Sequence, residues 1–186
     1  HKSKRVCDHW WESETEWHRA WKDTFPKEWQ EVVHFAEDGE KHIADIRTPD
    51  GFVIEFQHSS IKAEEKLARE QFYKNMVWVV DGKRTKNDYP RFEKNESGWM
   101  AWRNDRAVYV YYAEFTFPKV WMNRTVPVIF DWQNEYDLVC LLPQRVGKDY
   151  DYAGPATCFR ITRASFNKMI TEHQRLKIPP MKKPYE

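Results

Sequence analysis

Glycine and cysteine are scarce in this chain of 186 residues, which has 6 Gly and 3 Cys. The cysteines, at positions 7, 140 and 158, are too few and too widely spaced for a disulfide framework. We therefore expect reduced thiols and a cytoplasmic protein. An excess of charge is also lacking, because the formal net charge is only +1, and a strongly basic nucleic-acid binder is not indicated. No apolar run reaches membrane-spanning length and no signal peptide is visible, so no membrane partner is expected.

Aromatic residues are abundant, with 10 Trp, 9 Tyr and 11 Phe. They supply mass for a core, and some are suited to stacking against nucleobases. Hydrophobic residues make up 41% of the chain and charged residues 32%, a composition typical of a folded globular protein. The length fits one domain, or a small domain with an extension.

The first 82 residues show alternating helical and strand periodicity, with turn signals at Asp38-Gly39 and Pro49-Asp50-Gly51. The predicted elements are, in order, a helix over 8–23, strands over 29–35, 42–47 and 52–58, a helix over 61–75 and a buried strand over 76–80. This order predicts an α/β fold with a mixed sheet of at least four strands.

After Gly82 the pattern becomes weaker, and residues 83–106 show little periodicity. Further on, the sequence predicts strands over 107–117, 126–131 and 138–142, a short helix over 164–172 and an extended tail over 179–186. No linker rich in Gly, Ser or Pro follows Gly82. We therefore predict a core over 8–82 and a strand-rich extension over 83–186 that packs on it.

Two acidic residues lie on consecutive predicted strands, Asp45 near the end of one and Glu55 on the next. The turn between the strands returns the chain, so both carboxylates can lie side by side. Glu55 and Gln57 share one face of their strand because side chains alternate. Paired carboxylates suit a Mg²⁺ or Mn²⁺ ion. The alternative from this pair alone is an ordinary half-exposed antiparallel strand.

The predicted helices carry further polar groups. Glu14, His18 and Lys22 are spaced four residues apart, and so lie on one face of the first helix. Glu14 there could complete a metal site, while His18 and Lys22 could contact phosphate. Arg69 and Tyr73 share a face of the second helix and could grip a phosphate. The alternatives are a solvated salt-bridged face for the first set, and a surface pair or a packed Tyr for the second.

Taken together, these segments resemble the competence protein CoiA-like nuclease family over about residues 8–82. The resemblance is carried by five segments of the sequence, which are Glu14-Thr15-Glu16-Trp17-His18 with Lys22, Ala44-Asp45-Ile46, Ile54-Glu55-Phe56-Gln57-His58-Ser59, Arg69 with Tyr73, and Val77-Trp78-Val79-Val80. Their order and spacing both agree with the family pattern.

The resemblance implies a PD-(D/E)xK, restriction-endonuclease-like core that hydrolyses DNA with one or two Mg²⁺ or Mn²⁺ ions. It implies that Asp45 and Glu55 bind metal, that Glu14 assists, and that Gln57 replaces the usual catalytic Lys. Gln57 is neutral, so it orients a water or phosphate by hydrogen bonding and adds no charge. Thr15 stands where the family often has Ser. His18, Lys22, Arg69 and Tyr73 are then the candidates for contacting phosphate and DNA, which is the expected partner.

Other functions remain open at this point. A binding module that has lost its chemistry but acts in DNA uptake or recombination would keep the same fold. An RNA-directed or toxin-like nuclease effector is another alternative. Cys7 and His9 could form half of a zinc site, a feature that the family often carries before its core, or they could be together by chance.

Overall fold

The computed structural model describes residues 10, 13–35, 39, 41–96, 100–101, 107–110, 113–134, 138–143 and 156–172. Within them the chain forms one sheet with helices on both faces. The strands are β1 Gln30–Phe35, β2 Lys41–Arg47, β3 Val53–Gln57, β4 Met76–Asp81, β5 Met100–Ala101, β6 Ala107–Val110, β7 Val128–Asp131, β8 Leu138–Leu141 and β9 Ala156–Ile161. The helices are α1 Glu16–Lys22, α2 Ala63–Tyr73, α3 Asp88–Glu96, α4 Ala113–Thr116 and α5 Arg163–Thr171, and single 3₁₀ turns cover Lys27–Trp29 and Lys119–Trp121.

In the part of the chain that the structure describes, the sheet has nine strands in the order β1-β2-β3-β4-β7-β8-β9-β6-β5. β3, β4 and β7 run parallel at its centre, and the neighbouring pairs on either side are antiparallel. All six residues of β4 are buried, as its continuous apolar sequence predicts for a strand covered on both faces. The predicted mixed α/β fold is confirmed, and its element order matches the sequence interpretation through β4.

Each face of the sheet has its own hydrophobic core. One core contains Trp78 of β4 together with Phe92 of α3 and Phe117, which directly follows α4. The other contains Trp21 of α1 and Phe166 of α5. The sheet is therefore the middle layer of three, with α1 and α5 on one face and α2, α3 and α4 on the other.

The first helix is shorter than the sequence predicts. It begins at Glu16 and not at Asp8, because Thr15 has an extended backbone and its side chain accepts a hydrogen bond from the backbone N–H of His18. This is a helix N-cap, and it ends the helix on its N-terminal side. Glu14 therefore precedes α1 and does not lie on its face, which corrects that part of the prediction.

The second half of the chain was predicted less well. α3 falls in a segment for which the sequence predicts little periodicity and no element, α4 falls inside a predicted strand, and β9 is not predicted. α3 is short and contains Pro90, which breaks a helix in most positions but is tolerated in the first helical turn. β7 pairs with β4, so strands from both sides of Gly82 share one sheet. The division into 8–82 and 83–186 stays a prediction.

Cys140 and Cys158 are fully buried on β8 and β9. Burial raises the pKa of the Cys158 thiol to about 12 and raises that of Cys140 as well. We expect neither thiol to react with iodoacetamide at about pH 8 in the native protein, because the thiolate is the reactive form. Both should react once urea unfolds the chain. Peptide mass spectrometry measures labelling at each position, and equal native and unfolded rates would contradict the burial of these strands.

Candidate active site

The candidate site lies where β2 and β3 separate. Their backbone pairing covers Arg47 with Val53 and Ile46 with Ile54, and Asp45 and Glu55 come next. At Asp45 and Glu55, hydrogen bonds from backbone N–H groups to side chains replace the backbone pairing of the two strands. The backbone N–H of Asp45 donates to Glu55 Oε1 at 3.3 Å, and that of Phe56 donates to Asp45 Oδ2 at 2.9 Å. The two carboxylates are thus held in the gap between the strands, as the sequence predicts for neighbouring positions.

Asp45 faces the ammonium group of Lys22, which comes from the last turn of α1. The Asp45 Oδ1 to Lys22 Nζ distance is 3.3 Å. The same ammonium lies 2.9 Å from Glu14 and 3.2 Å from Glu31. Burial disfavours the charged form of Lys22, but the carboxylates outweigh it and raise its pKa above the usual value. Lys22 is therefore a fixed, buried cation shared by three acidic side chains.

Glu55 is more deeply buried than Asp45, with side chains 4% and 24% exposed respectively. Its Oε2 accepts a hydrogen bond at 3.0 Å from Arg69, which reaches down from α2. Burial and then the charge of Asp45 raise the pKa of Glu55 to about 8, although Arg69 opposes the shift. Burial also raises the pKa of Asp45, and Lys22 opposes it. Two carboxylates that resist ionising together are the arrangement that a divalent cation would relieve.

Gln57 and His18 occupy defined positions close to this pair. Gln57 is buried at the end of β3, and its Nε2 donates to the backbone oxygen of Ser59 at 3.3 Å and contacts Ser59 Oγ at 3.2 Å. His18 Nδ1 lies 2.9 Å from Thr15 Oγ1, while Nε2 lies 3.0 Å from the backbone oxygen of Phe56. His18 thus ties α1 to β3. The predicted roles of Gln57 towards water and of His18 towards phosphate stay predictions.

Arg69 and Tyr73 both point inward from α2. Arg69 also binds Glu65 at 2.6 Å and the backbone oxygen of Trp10 at 2.6 Å. Tyr73 is 8% exposed and packs edge-on against the ring of His34, with centroids 5.2 Å apart. Tyr73 therefore contributes to the core, and its predicted contact with phosphate stays a prediction.

The donor atoms of the site fit Mg²⁺ or Mn²⁺ in chemical type, since these ions prefer oxygen ligands and are often held by one or two carboxylates plus water. Asp45 and Glu55 would be the ligands, while Glu14 contacts Lys22 at 2.9 Å. In the described part of the chain, no group of three or more His, Cys, Asp or Glu side chains is placed to hold an ion. Cys7 and His9, the predicted half of a zinc site, lie outside the described residues.

Sequence reasoning missed one acidic member of the site, Glu31 on β1. Its alternating strand gives no sign of a special role. Its backbone is nevertheless left-handed, with φ of 54°, which is uncommon for a residue other than Gly and recurs at functional sites. Glu65, the second partner of Arg69, could have been found from its position four residues earlier on the same helix.

The fold points to a class of protein. A mixed sheet between helical layers is consistent with a restriction-endonuclease-like fold. Residues 41–128 match the family model described as competence protein CoiA, nuclease-like domain. This match supports a CoiA-like assignment of that segment and suggests a nuclease-related function. No curated protein and no solved structure matched the chain.

The family match confirms the resemblance and moves its bounds. The matched range starts at β2 and continues past residue 82 to the first residue of β7. The sequence resemblance, in contrast, covers about residues 8–82. Asp45, Glu55 and Gln57 lie inside the matched range. Lys22 lies before it, so its place in the site rests on the sequence resemblance and on its contact with Asp45. Among the described residues, no helix has the length and apolar composition needed to cross a membrane.

Proposed function

We propose that the protein is a nuclease that hydrolyses DNA phosphodiester bonds with Mg²⁺ or Mn²⁺. The observation that carries the proposal is the Asp45 and Glu55 pair, held by backbone N–H groups in the gap between β2 and β3. The pair lies within a segment that matches a nuclease-like domain family. A purely structural ion pair would not require two adjacent carboxylates at the point where a sheet opens.

Asp45 and Glu55 would hold the ion, and Glu14 would assist. When bound, a divalent ion supplies positive charge to the phosphate and lowers the pKa of a water molecule. Gln57, on the same face of β3 as Glu55, would orient the attacking water by a hydrogen bond. That role requires its amide to turn from Ser59 towards the carboxylates.

Lys22 and Arg69 would meet the charge of the scissile phosphate. Each has a further anionic partner, Glu31 for Lys22 and Glu65 for Arg69. Either cation can therefore release its catalytic carboxylate to an ion without becoming a buried charge with no counterion. Positive charges held in place before the reaction stabilise negative charge that develops in the transition state.

A second candidate is a DNA-binding module without chemistry. It is favoured by the ion pairs that Lys22 and Arg69 already form with Asp45 and Glu55 at 3.3 and 3.0 Å. In this alternative the two cations are permanent counterions. The two candidates differ in whether a divalent ion displaces these contacts.

The test combines cleavage with an ion-binding measurement. Linear, nicked, branched and single-stranded DNA are incubated with Mg²⁺, Mn²⁺, Ca²⁺ or EDTA, and the thermal midpoint is measured under the same conditions. We expect cleavage with Mg²⁺ or Mn²⁺ only, and a midpoint that rises with ion concentration because the ion binds the folded state. A raised midpoint without cleavage of any substrate would support the metal site and contradict the proposed hydrolysis. No change in either would contradict the metal site and favour the binding module, in which Lys22 and Arg69 stay paired.

A further inference from the structure

A cavity of about 960 Å³ opens beside the candidate active site, at the carboxyl ends of the central parallel strands. β4 and β7 end there at Asp81 and Asp131, and His58 follows β3. Neither Asp45 nor Glu55 lines this cavity. In α/β sheets, ligands bind preferentially outside the carboxyl ends of parallel strands. The position therefore marks the cavity as a binding site that the carboxylate pair does not account for.

Asp81 organises one side of the cavity. It is 5% exposed and accepts hydrogen bonds from Gln133 Nε2 at 2.6 Å and from the backbone N–H of Lys83 at 2.9 Å, and its Oδ2 lies 2.8 Å from His58 Nδ1. Because Nδ1 of His58 faces Asp81, the imidazole is held in one orientation. The side chain of Gln133 is held against the same carboxylate, and its backbone is left-handed, with φ of 52°.

Asp131 organises the other side in the same way. It is 1% exposed, and its Oδ2 accepts hydrogen bonds from Trp17 Nε1 and Trp21 Nε1 at 2.9 Å each and from Arg163 at 2.7 Å. Trp17 and Arg163 line the cavity. Asp131 and Asp81 are paired neighbours on β7 and β4, so the cavity floor has two buried carboxylates that fix the groups around it.

The groups presented to the cavity have mixed chemistry. Lys83 and Arg163 are cations, Glu16 is an exposed anion, Gln133 and Asn134 are amides, and His58 and Trp17 are flat rings. Cations suit a phosphate, amides suit the edge of a nucleobase, and aromatic rings suit its face. The two aspartates are already occupied by donors, so they repel an anion less than free carboxylates would. A nucleotide unit combines all three features that these groups recognise.

The cavity is also close enough to the carboxylate pair to serve the same nucleic-acid strand. Trp17 faces the cavity and Lys22 contacts Asp45, and both belong to α1. Five residues of helix separate them by about 7.5 Å along the axis, at about 1.5 Å per residue. This axial offset is of the same order as a few nucleotides of one strand, which advance about 3.4 Å each when stacked as in duplex DNA.

We propose that this cavity is a subsite for a nucleotide of the nucleic-acid strand, flanking the phosphate held near Asp45 and Glu55. The placement of that phosphate rests on the proposed function, while binding in the cavity does not. Lys83 contacts the flanking phosphate, and His58, whose Nδ1–H donates to Asp81, accepts a hydrogen bond from the nucleotide at Nε2. His58 and Lys83 thereby strengthen binding of strands long enough to reach them.

The experiment measures binding without cleavage. A fluorescein-labelled single-stranded DNA of about 12 nucleotides, within the usual range of site sizes, is titrated in EDTA by fluorescence anisotropy. We compare the wild type with Lys83→Gln, His58→Gln and the control Lys168→Gln. Lys83 and Lys168 are both exposed, but Lys168 lies on α5 and does not line the cavity. Circular dichroism confirms folding of each variant.

We expect Lys83→Gln to weaken binding about tenfold, the effect of losing one hydrogen bond to a charged group, and His58→Gln to weaken it about fivefold, the effect of losing one neutral hydrogen bond. Lys83→Gln should also reduce the slope of log K against log salt concentration by about 0.7, the value for one phosphate contact to a single strand. Lys168→Gln should change neither quantity. If the folded Lys83→Gln and His58→Gln variants both bind like the control, the subsite is wrong. If both bind more weakly but the wild type cleaves nothing with any ion, the subsite holds and the proposed nuclease fails.

Discussion

Asp45→Asn is expected to lose at least about three orders of magnitude in DNA cleavage with Mg²⁺ or Mn²⁺. The substitution keeps the shape of the side chain and removes the charge that would hold the ion. The stabilisation that a metal ion gives to a phosphoryl transition state is several kcal/mol, and each 1.36 kcal/mol corresponds to about tenfold in rate. The measurement is a plasmid-nicking rate at saturating metal, with the thermal midpoint recorded for each variant.

Folding should survive this substitution, because Lys22 keeps Glu14 and Glu31 as partners. Asp23→Asn is the matched control, since Asp23 is an exposed carboxylate directly after α1 that pairs with Lys27. We expect the control to cleave like the wild type. A folded Asp45→Asn protein that cleaves at the control rate would exclude Asp45 as a metal ligand.

Glu55 and Gln57, the other two candidate catalytic residues of β3, allow graded tests in the same assay. Glu55→Gln should be as damaging as Asp45→Asn, and its fold should persist because Arg69 keeps Glu65 and the Trp10 oxygen. Gln57→Ala removes one hydrogen-bond donor and no ligand, so we expect a smaller loss of about 10²–10³ in rate. If Gln57→Ala were as damaging as Asp45→Asn, a role limited to orienting water would be insufficient.

Glu70→Ala is expected to cost about 3–5 kcal/mol of folding free energy, the range for breaking a buried ion pair. Glu70 on α2 has a fully buried side chain that pairs with Lys66 at 2.7 Å. It also accepts hydrogen bonds from Trp78 Nε1 and from the backbone N–H and hydroxyl of Thr125. Lys66 also donates a hydrogen bond to the backbone oxygen of Asn123. Removing the Glu70 carboxylate therefore leaves a buried cation next to a neutral acceptor. Urea denaturation followed by circular dichroism measures the loss.

Glu172→Ala provides the comparison, because Glu172 forms the same four-residue spacing with Lys168 on α5 but at the surface, with side chains 45% and 71% exposed. Exposed pairs of this kind contribute about 0–1 kcal/mol. A Glu70→Ala protein no less stable than Glu172→Ala would mean that the α2 network does not stabilise the fold. This outcome would leave the proposed activity unaffected, since Glu70 does not touch Asp45 or Glu55 in any contact described above.

The sequence predicted the central part of the fold well because its signals are local. Three local signals each predict one element without distant contacts. They are the turn residues at 49–51, the apolar run of β4 and the periodicity of α2. β9 is different, since it lies between β8 and β6 and its pairing depends on strands far away in the chain. Weak local preference and tertiary pairing together explain why the second half was harder to predict.

For the candidate site, the sequence could predict that Asp45 and Glu55 lie on neighbouring strands, because strand alternation and a tight turn determine this. It could not predict which cation each carboxylate would meet. Lys22 reaches Asp45 because α1 packs across the strand gap, and Arg69 reaches Glu55 because α2 covers the opposite face. Such contacts depend on how helices pack on the sheet. The roles of these residues in catalysis stay predictions.

The position of β6 in the sheet affects the order in which the protein can assemble. Among the described residues, β6, at residues 107–110, joins the rest of the sheet only through β9, at residues 156–161, and β5 joins only through β6. A ribosome releases the amino-terminal strands first, so β5 and β6 emerge well before the strand that attaches them. During synthesis these two strands expose unpaired backbone, which makes the interval before β9 appears the period of greatest risk for mispairing with other chains.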